Sequence, residues 1–301
     1  MKKIVSVFLI ILFGIISMAQ GDIIEDLKQF GKENGEKYMK PFVTAFGSDL
    51  NSGWFSCAKT SPMSFGLTFN AMLAVVPDDD KTFIVHNPNT NLYNGDYEVT
   101  ATVFGNNGAI FESKDTQIVP DLSLPRGVDV GMVPLIVPQA HLGLPGGFEV
   151  EVRYFPPCEI KDMGKISFVG GGVKYQVSKL IPMLSTIVPI SIQGTYQQLK
   201  LGDEVTLNST FVNIHASRGL VILPLTIYGG IGYEHTTLKA KYTYTEPWEG
   251  GTTHDIDFNI TGDNGFRVTA GACVKILLLD VMVDYSVGKY QTVRAGVGFS
   301  I

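Results

Sequence analysis

The chain is poor in charge: 17% of its 301 residues are Asp, Glu, Lys or Arg, against 45% that are hydrophobic. The charge it has is acidic in balance, 23 basic to 29 acidic residues, and no run of Lys or Arg exceeds two. That excludes a nucleic-acid binder working by phosphate neutralisation. Cysteine is scarce as well. Cys57, Cys158 and Cys273 are odd in number and far apart, which is not the pattern of a disulfide framework. Beyond the first twenty residues no apolar run approaches ~18 residues, so no helical membrane span is expected. H-E-x-x-H, C-x-x-C and G-x-S-x-G are all missing, and His86, His141, His215, His235 and His254 lie at no metal-ligand spacing. No cofactor, no metal and no enzymatic activity are expected.

What is present begins with a leader. Lys2-Lys3, the apolar stretch Ile4–Ile16 and the small residues Ser17 and Ala19 have the layout of a secretory signal peptide over residues 1–19. The mature chain is rich in Gly (33) and in Phe plus Tyr (18 and 12), a composition that suits β structure. Residues 20–62 differ from the rest. Ile23, Ile24, Leu27 and Phe30 fall at helical spacing after Asp22, while Gly31, Gly35 and Pro41 interrupt the continuation. One or two short helices are expected. They either pack on the side of a soluble domain or lie, plug-like, in a barrel lumen.

From residue 63 to 301 the dominant period is two. Phe65, Leu67, Phe69, Ala71, Leu73 and Val75 share one face, and Ser64, Gly66, Thr68 and Asn70 the other. The same alternation recurs at 97–103 and then ten times after Gly147, ending at Thr292–Ile301. Several runs reach about 10 residues, longer than the ~5–6 of ordinary strands and enough for a tilted strand to cross a bilayer. Asp263-Asn264-Gly265 reads as a tight turn between two strands, and 76–96 and 245–253 as longer loops. Residues 119–147 are expected to be an irregular insert, because Pro120, Pro125, Pro134, Pro138 and Pro145 are too dense for a regular ladder.

Alternation alone fits a soluble sandwich too. Long and numerous runs, polar faces carrying both signs of charge, and Tyr near strand ends (Tyr154, Tyr175, Tyr196, Tyr233, Tyr244, Tyr285, Tyr290) favour a membrane barrel. The expected fold is all-β: an antiparallel transmembrane β-barrel of about 12 strands (10–14) with a short N-terminal helical segment. Short turns at one end and longer loops at the other are part of that expectation.

Val293-Arg294-Ala295-Gly296-Val297-Gly298-Phe299-Ser300-Ile301 resembles the last strand of Gram-negative outer-membrane barrels, which the assembly machinery recognises; here Ile301 stands where those barrels end in an aromatic residue. Leu50-Asn51-Ser52-Gly53-Trp54 and the stretch from Leu144-Pro145-Gly146-Gly147 into Val152-Arg153-Tyr154-Phe155-Pro156-Pro157 resemble an uncharacterised outer-membrane β-barrel family. A more distant likeness is to the outer-membrane long-chain fatty-acid transporters, which have fourteen strands and an N-terminal hatch. These resemblances imply outer-membrane lipid and the barrel-assembly machinery as partners, no nucleic acid, and location in the outer membrane of a Gram-negative bacterium. No solute is named by them.

The charged residues on the polar faces are the candidate site. Glu149, Glu151, Arg153, Lys174, Glu234, Arg267, Lys275, Asp280, Asp284 and Arg294 are expected to face a lumen, because Lys or Arg on the lipid face at mid-bilayer costs ~2–4 kcal/mol. They read as a cross-strand salt-bridge network, with a polar pathway as the other possibility. His215 and Ser217 share a strand face without a third orienting group. The functional expectation is a passive channel or uptake barrel for a small or apolar solute. A non-transporting scaffold or adhesion barrel, and a soluble exported protein with a ligand pocket, are the rivals.

Overall fold

In a computed structural model the described residues are 32–160, 164–181, 187–202, 205–220, 223–245 and 252–301. The leader and the apolar run Ile23–Phe30 therefore lie outside the described residues. The chain enters as helix α1 (Lys32–Leu50), which runs through Pro41 without a break. Burial starts on one side at Gly35, Tyr38 and Met39 and from Pro41 to Leu50 covers every face, as for a helix enclosed all round, and that burial outweighs the hydrogen bond that Pro41 cannot donate.

Among the described residues fifteen strands follow. β1 is Phe65–Val75; β2 (Thr82–His86), β3 (Tyr97–Ala101), β4 (Ile110–Phe111) and β5 (Leu122–Ser123) are short. Then come β6 (Met132–Gly143), β7 (Phe148–Ile160), β8 (Gly164–Tyr175), β9 (Ile190–Leu201), β10 (Val205–Gly219) and β11 (Leu225–Thr245). The last four are β12 (Thr253–Thr261), β13 (Phe266–Ile276), β14 (Leu279–Val287) and β15 (Gln291–Ser300). Each long strand pairs antiparallel with its neighbour, β15 returns to β1, and β10 to β11 completes the circuit. The result is a closed barrel of ten strands, β12 being an extra strand paired with β11. Neither twelve strands nor the fourteen of the fatty-acid transporters is found.

The difference has identifiable causes. The run at 97–103 supplies β3, which pairs with β2 outside the wall. The runs at 225–234 and 238–244 are one strand, β11. Asp263-Asn264-Gly265 is not a hairpin turn: β12 and β13 both run antiparallel to β11, at Thr237↔Thr261 and Tyr233↔Phe266. Residues 262–265 are therefore a bulge within one stave, bridged by Glu234 N–H to Gly265 O at 2.8 Å and Gly262 N–H to Thr236 O at 3.0 Å. Conversely, β6 occupies 132–143, where an irregular insert was expected, and pairs with β1 straight through Pro134 and Pro138.

The connections do not sort into short and long ends. The end reached by Val75 carries the excursion 76–131, but also the three-residue turn 288–290 between β14 and β15. The opposite end carries the two-residue turn Leu277-Leu278 and also the connection 176–189. The excursion forms a cap with its own small core of Val85, Tyr93 and Phe111.

Toward the end opposite the cap, and along β1 and most of β15, outward positions are apolar: Phe65, Leu67 and Phe69 on β1, Val212 and Ile214 on β10, and Val293, Val297 and Phe299 on β15 are all exposed. Inward positions between them are buried, among them Asn70, Asn213, His215 and Arg294. Over that height the wall is the reverse of a water-soluble barrel; toward the cap end of β9–β11 the faces change over, with Lys200, Lys239 and Lys241 outside and Leu199, Leu207 and Leu238 inside. Tyr154, Tyr196, Tyr233 and Tyr285 lie on the outside, whereas Tyr290 turns inward and is buried.

Candidate functional site

The lumen is occupied by the chain itself. α1 enters from the cap end, where Tyr38 O accepts from Val103 N–H (3.1 Å) and Tyr38 Oη donates to Arg126 O (3.1 Å). After Leu50 the chain bends at Gly53, whose φ of +71° and closeness to the Arg294 side chain both favour glycine. Residues 54–60 then continue to the far end, where Thr60 N–H donates to Gln176 Oε1 at 2.9 Å. Residues 32–60 thus thread the barrel lengthwise before β1 begins.

The lumen has two halves. Toward the cap, α1 sits in an apolar core with Met72, Leu135, Ile166, Phe168, Leu207 and Leu238 from the wall. Toward the other end the wall grips the plug through polar groups. Arg153 is fully buried; its Nη1 donates to Leu50 O and its Nη2 to Ser52 O, both at 2.7 Å, and the guanidinium lies 3.9 Å over the Trp54 ring. These contacts satisfy carbonyls at the helix C-terminus and stack a cation on an aromatic face. Gln197 Nε2 also donates to Leu50 O (2.7 Å), Gln193 Nε2 to Trp54 O (3.2 Å) and Lys174 Nζ to Cys57 O (3.0 Å).

Of the ten charged residues singled out by sequence, Glu149, Glu151, Arg153, Lys174, Glu234, Arg267, Asp284 and Arg294 are buried in this lumen. Lys275 and Asp280 sit at the mouth opposite the cap, both bonded to Ser300. The ion pairs among the ten are individual, and uncharged side chains join some of them: Arg153 Nε donates to Gln139 Oε1 (2.9 Å), which also accepts from Asn70, whose own Oδ1 accepts from Arg294. Lys174 pairs with Glu149, Arg267 with Glu234 (3.1 Å) and Arg294 with Asp284 (2.9 Å), while Arg153 is spent on the plug. Arg294 also donates to Asn70 Oδ1 and to Tyr228 Oη.

The uncharged partners Asn70, Gln139, Gln193, Gln197 and Tyr228 were missed in the sequence. Their signal was present, as polar residues in step with the charged ones on the same faces. Asp49 and Asn51 of the plug meet Glu234, Asn264 and Arg267 in a buried cluster that holds several unpaired polar atoms, both oxygens of Asp49 included. His215 and Ser217 do share the inner face, with structural partners: His215 stacks on Phe55 and bonds Asn213 (2.7 Å), and Ser217 Oγ accepts from Ala58 N–H (2.8 Å).

At the cap rim, Lys81 holds the Asp78 carboxyl below its usual range, and Lys289 pairs with Asp80 at 3.2 Å. Burial first, and then the Asp80 carboxylate, push the Tyr290 phenol up. All three cysteines are free thiols. Among the described residues no helix is long and apolar enough to cross a membrane, and no group of three or more His, Cys, Asp or Glu could hold a metal.

A family model covers residues 1–301. The chain belongs to a family of unknown function, DUF6588. A search of curated proteins found no match for this DUF6588 member. Among solved structures it is similar to the outer-membrane protein OmpT of Vibrio cholerae, at 10% identity and a TM-score of 0.26, over 79% of this chain and 98% of that one. It is similar to the transport unit of the autotransporter AIDA-I of Escherichia coli at 8% identity and a TM-score of 0.27, over 90% and 98%. The outer-membrane channel DcaP of Acinetobacter baumannii matches at 10% identity and a TM-score of 0.21, over 83% and 99%. Superpositions this loose carry no argument, and the fold rests on the strand pairings above.

Proposed function

We propose that this DUF6588 chain is an outer-membrane β-barrel of a Gram-negative bacterium that is closed at rest by its own N-terminal segment and serves an apolar solute rather than ions. The apolar outward belt supports the membrane: a wall with exposed Phe, Leu, Val and Ile outside and buried Asn, Gln, Arg and Glu inside suits hydrocarbon around a polar interior. The observation that carries the closed state is the path of residues 32–60 through the lumen, gripped by Arg153, Gln193, Gln197 and Lys174. The apolar half around α1 supports the choice of solute. Planar-bilayer recording of the full chain tests it. No steady ionic conductance is expected, and a stable ohmic channel in the intact protein would overturn the closed state.

A second reading, a non-transporting scaffold, draws on the cap 76–131, which has its own core and is exposed at Ile84, Tyr97 and Val99. Deleting residues 82–125 separates the two. Loss of a surface partner with solute handling intact favours the scaffold.

A further inference from the structure

The wall is not closed along its whole height. β6 and β7 pair from Gly143↔Glu149 to Gln139↔Arg153, and no described pairing continues beyond. Both strands go on toward the cap end, β6 back to Met132 and β7 forward to Ile160, each still paired on its other side to β1 or β8. Seven residues of β6, 132–138, therefore face β7 without a ladder, a seam of roughly 20 Å at strand rise.

Proline explains the seam. Gly131 O accepts from Val76 N–H, and Gly143 exchanges bonds with Met63 and Ser64, so odd-numbered residues of β6 point their backbone groups at β1. Even-numbered residues point at β7. Pro134 and Pro138 are even, and lack the very N–H groups that would close the seam. On β7, Phe148 O accepts from Leu144 N–H, so even residues there point at β6, and Pro156 is even. Pro157 falls where the β7–β8 register shifts, between Phe155 and Cys158. Proline on both facing edges keeps them from zipping.

Behind the seam lies the apolar half of the lumen. Val133, Leu135 and Val137 of β6 point inward and are buried, and Phe155 of β7 packs on the same core. The floor is polar, where Gln139 and Arg153 meet at 2.9 Å. We propose that the β6–β7 seam is a lateral doorway through which an apolar chain, such as the acyl chain of a membrane lipid, passes from the bilayer to the core around α1. An open edge in hydrocarbon is costly for each unpaired backbone group, and Pro134, Pro138 and Pro156 reduce that cost by having no N–H to leave unpaired, while an acyl chain passing the edge brings no polar group of its own. The proposal rests on the membrane reading above and adds route and ligand class to it.

The test uses the full chain in phosphatidylcholine vesicles carrying N-octadecylmaleimide, with Cys57, Cys158 and Cys273 replaced by Ser. Single cysteines are placed at Leu135 (inward, behind the seam), Leu207 (inward, behind the paired wall of β10) and Val212 (outward on β10). Reaching a site behind a closed ladder requires local opening, so Leu135→Cys should react about tenfold faster than Leu207→Cys or more. Adding Pro134→Val, Pro138→Val and Pro156→Val should bring Leu135→Cys down to the Leu207→Cys rate. Equal rates at Leu135→Cys and Leu207→Cys, with Val212→Cys reacting fast, would overturn the doorway while leaving the membrane barrel standing. An unreactive Val212→Cys would instead overturn the membrane reading, and the doorway with it. The comparison of positions in the native wall stands even if the proline variant fails to fold.

Discussion

The two halves of the lumen hold the same plug by different physics. Near the cap, α1 is seated by side-chain shape: the Phe42 ring packs tilted against Phe46 at 4.4 Å and stacks with Phe104 of the cap at 6.5 Å, inside an apolar core. Near the opposite mouth, residues 50–60 are seated by their backbone, whose carbonyls accept from Arg153, Gln193, Gln197 and Lys174. The first arrangement needs particular side chains on the plug. The second needs particular side chains on the wall and makes few demands on plug sequence. The polar half also carries the higher stake, since removing one buried donor leaves an acceptor stranded.

Three substitutions sharpen or break that comparison. The largest effect is expected from Arg153→Ala. It strands Ser52 O, takes from Leu50 O its charged donor while Gln197 and Trp54 still donate there, and removes the cation over Trp54; two hydrogen bonds from a charged donor at ~1.5–3 kcal/mol each put the loss at ~3–5 kcal/mol. Denaturant unfolding in detergent, with Trp54 emission as a probe of the plug, measures it; a loss below ~1 kcal/mol would mean the backbone grip is incidental. Next comes Phe42→Ala in the apolar half, which should cost ~3 kcal/mol through transfer and cavity terms. If it proves costlier than Arg153→Ala by the same measurement, shape rather than backbone bonding seats the plug.

The smallest effect belongs at the junction. Gly47 of α1 lies so close to Thr236 Oγ1 and Asn264 Oδ1 that an added Cβ would collide with both. Gly47→Ala should cost ~1–3 kcal/mol by overpacking, read as a lowered melting temperature. An unchanged or raised value would show that the helix can slide against the bulge at 262–265.

Legibility tracked the kind of interaction. The inward placement of Arg153, Lys174, Glu234 and Arg294 follows from strand period, because the two faces of a strand meet different surroundings. What each charge binds did not follow. Nothing local distinguishes Arg153, which grips the plug, from Arg294, which pairs with Asp284. Pro134 and Pro138 misled for a physical reason. A ladder tolerates proline on one condition, that the missing N–H points to an unpaired side, and that side is known only once β1 and β7 are in place. Asp263-Asn264-Gly265 misled similarly, since a bulge and a hairpin turn use the same Asn-Gly chemistry and differ in which strand lies opposite.

By itself the sequence determined an all-β chain with apolar and polar faces alternating along long strands, and with it which side chains are shut inside, because period-two geometry is local. Tertiary structure alone decided that ten strands close the circuit, that residues 32–60 run down the middle, and that β6 and β7 part company above Gln139. Those outcomes depend on which edges meet across the barrel, and the meeting of edges distant along the chain leaves no local mark on either one.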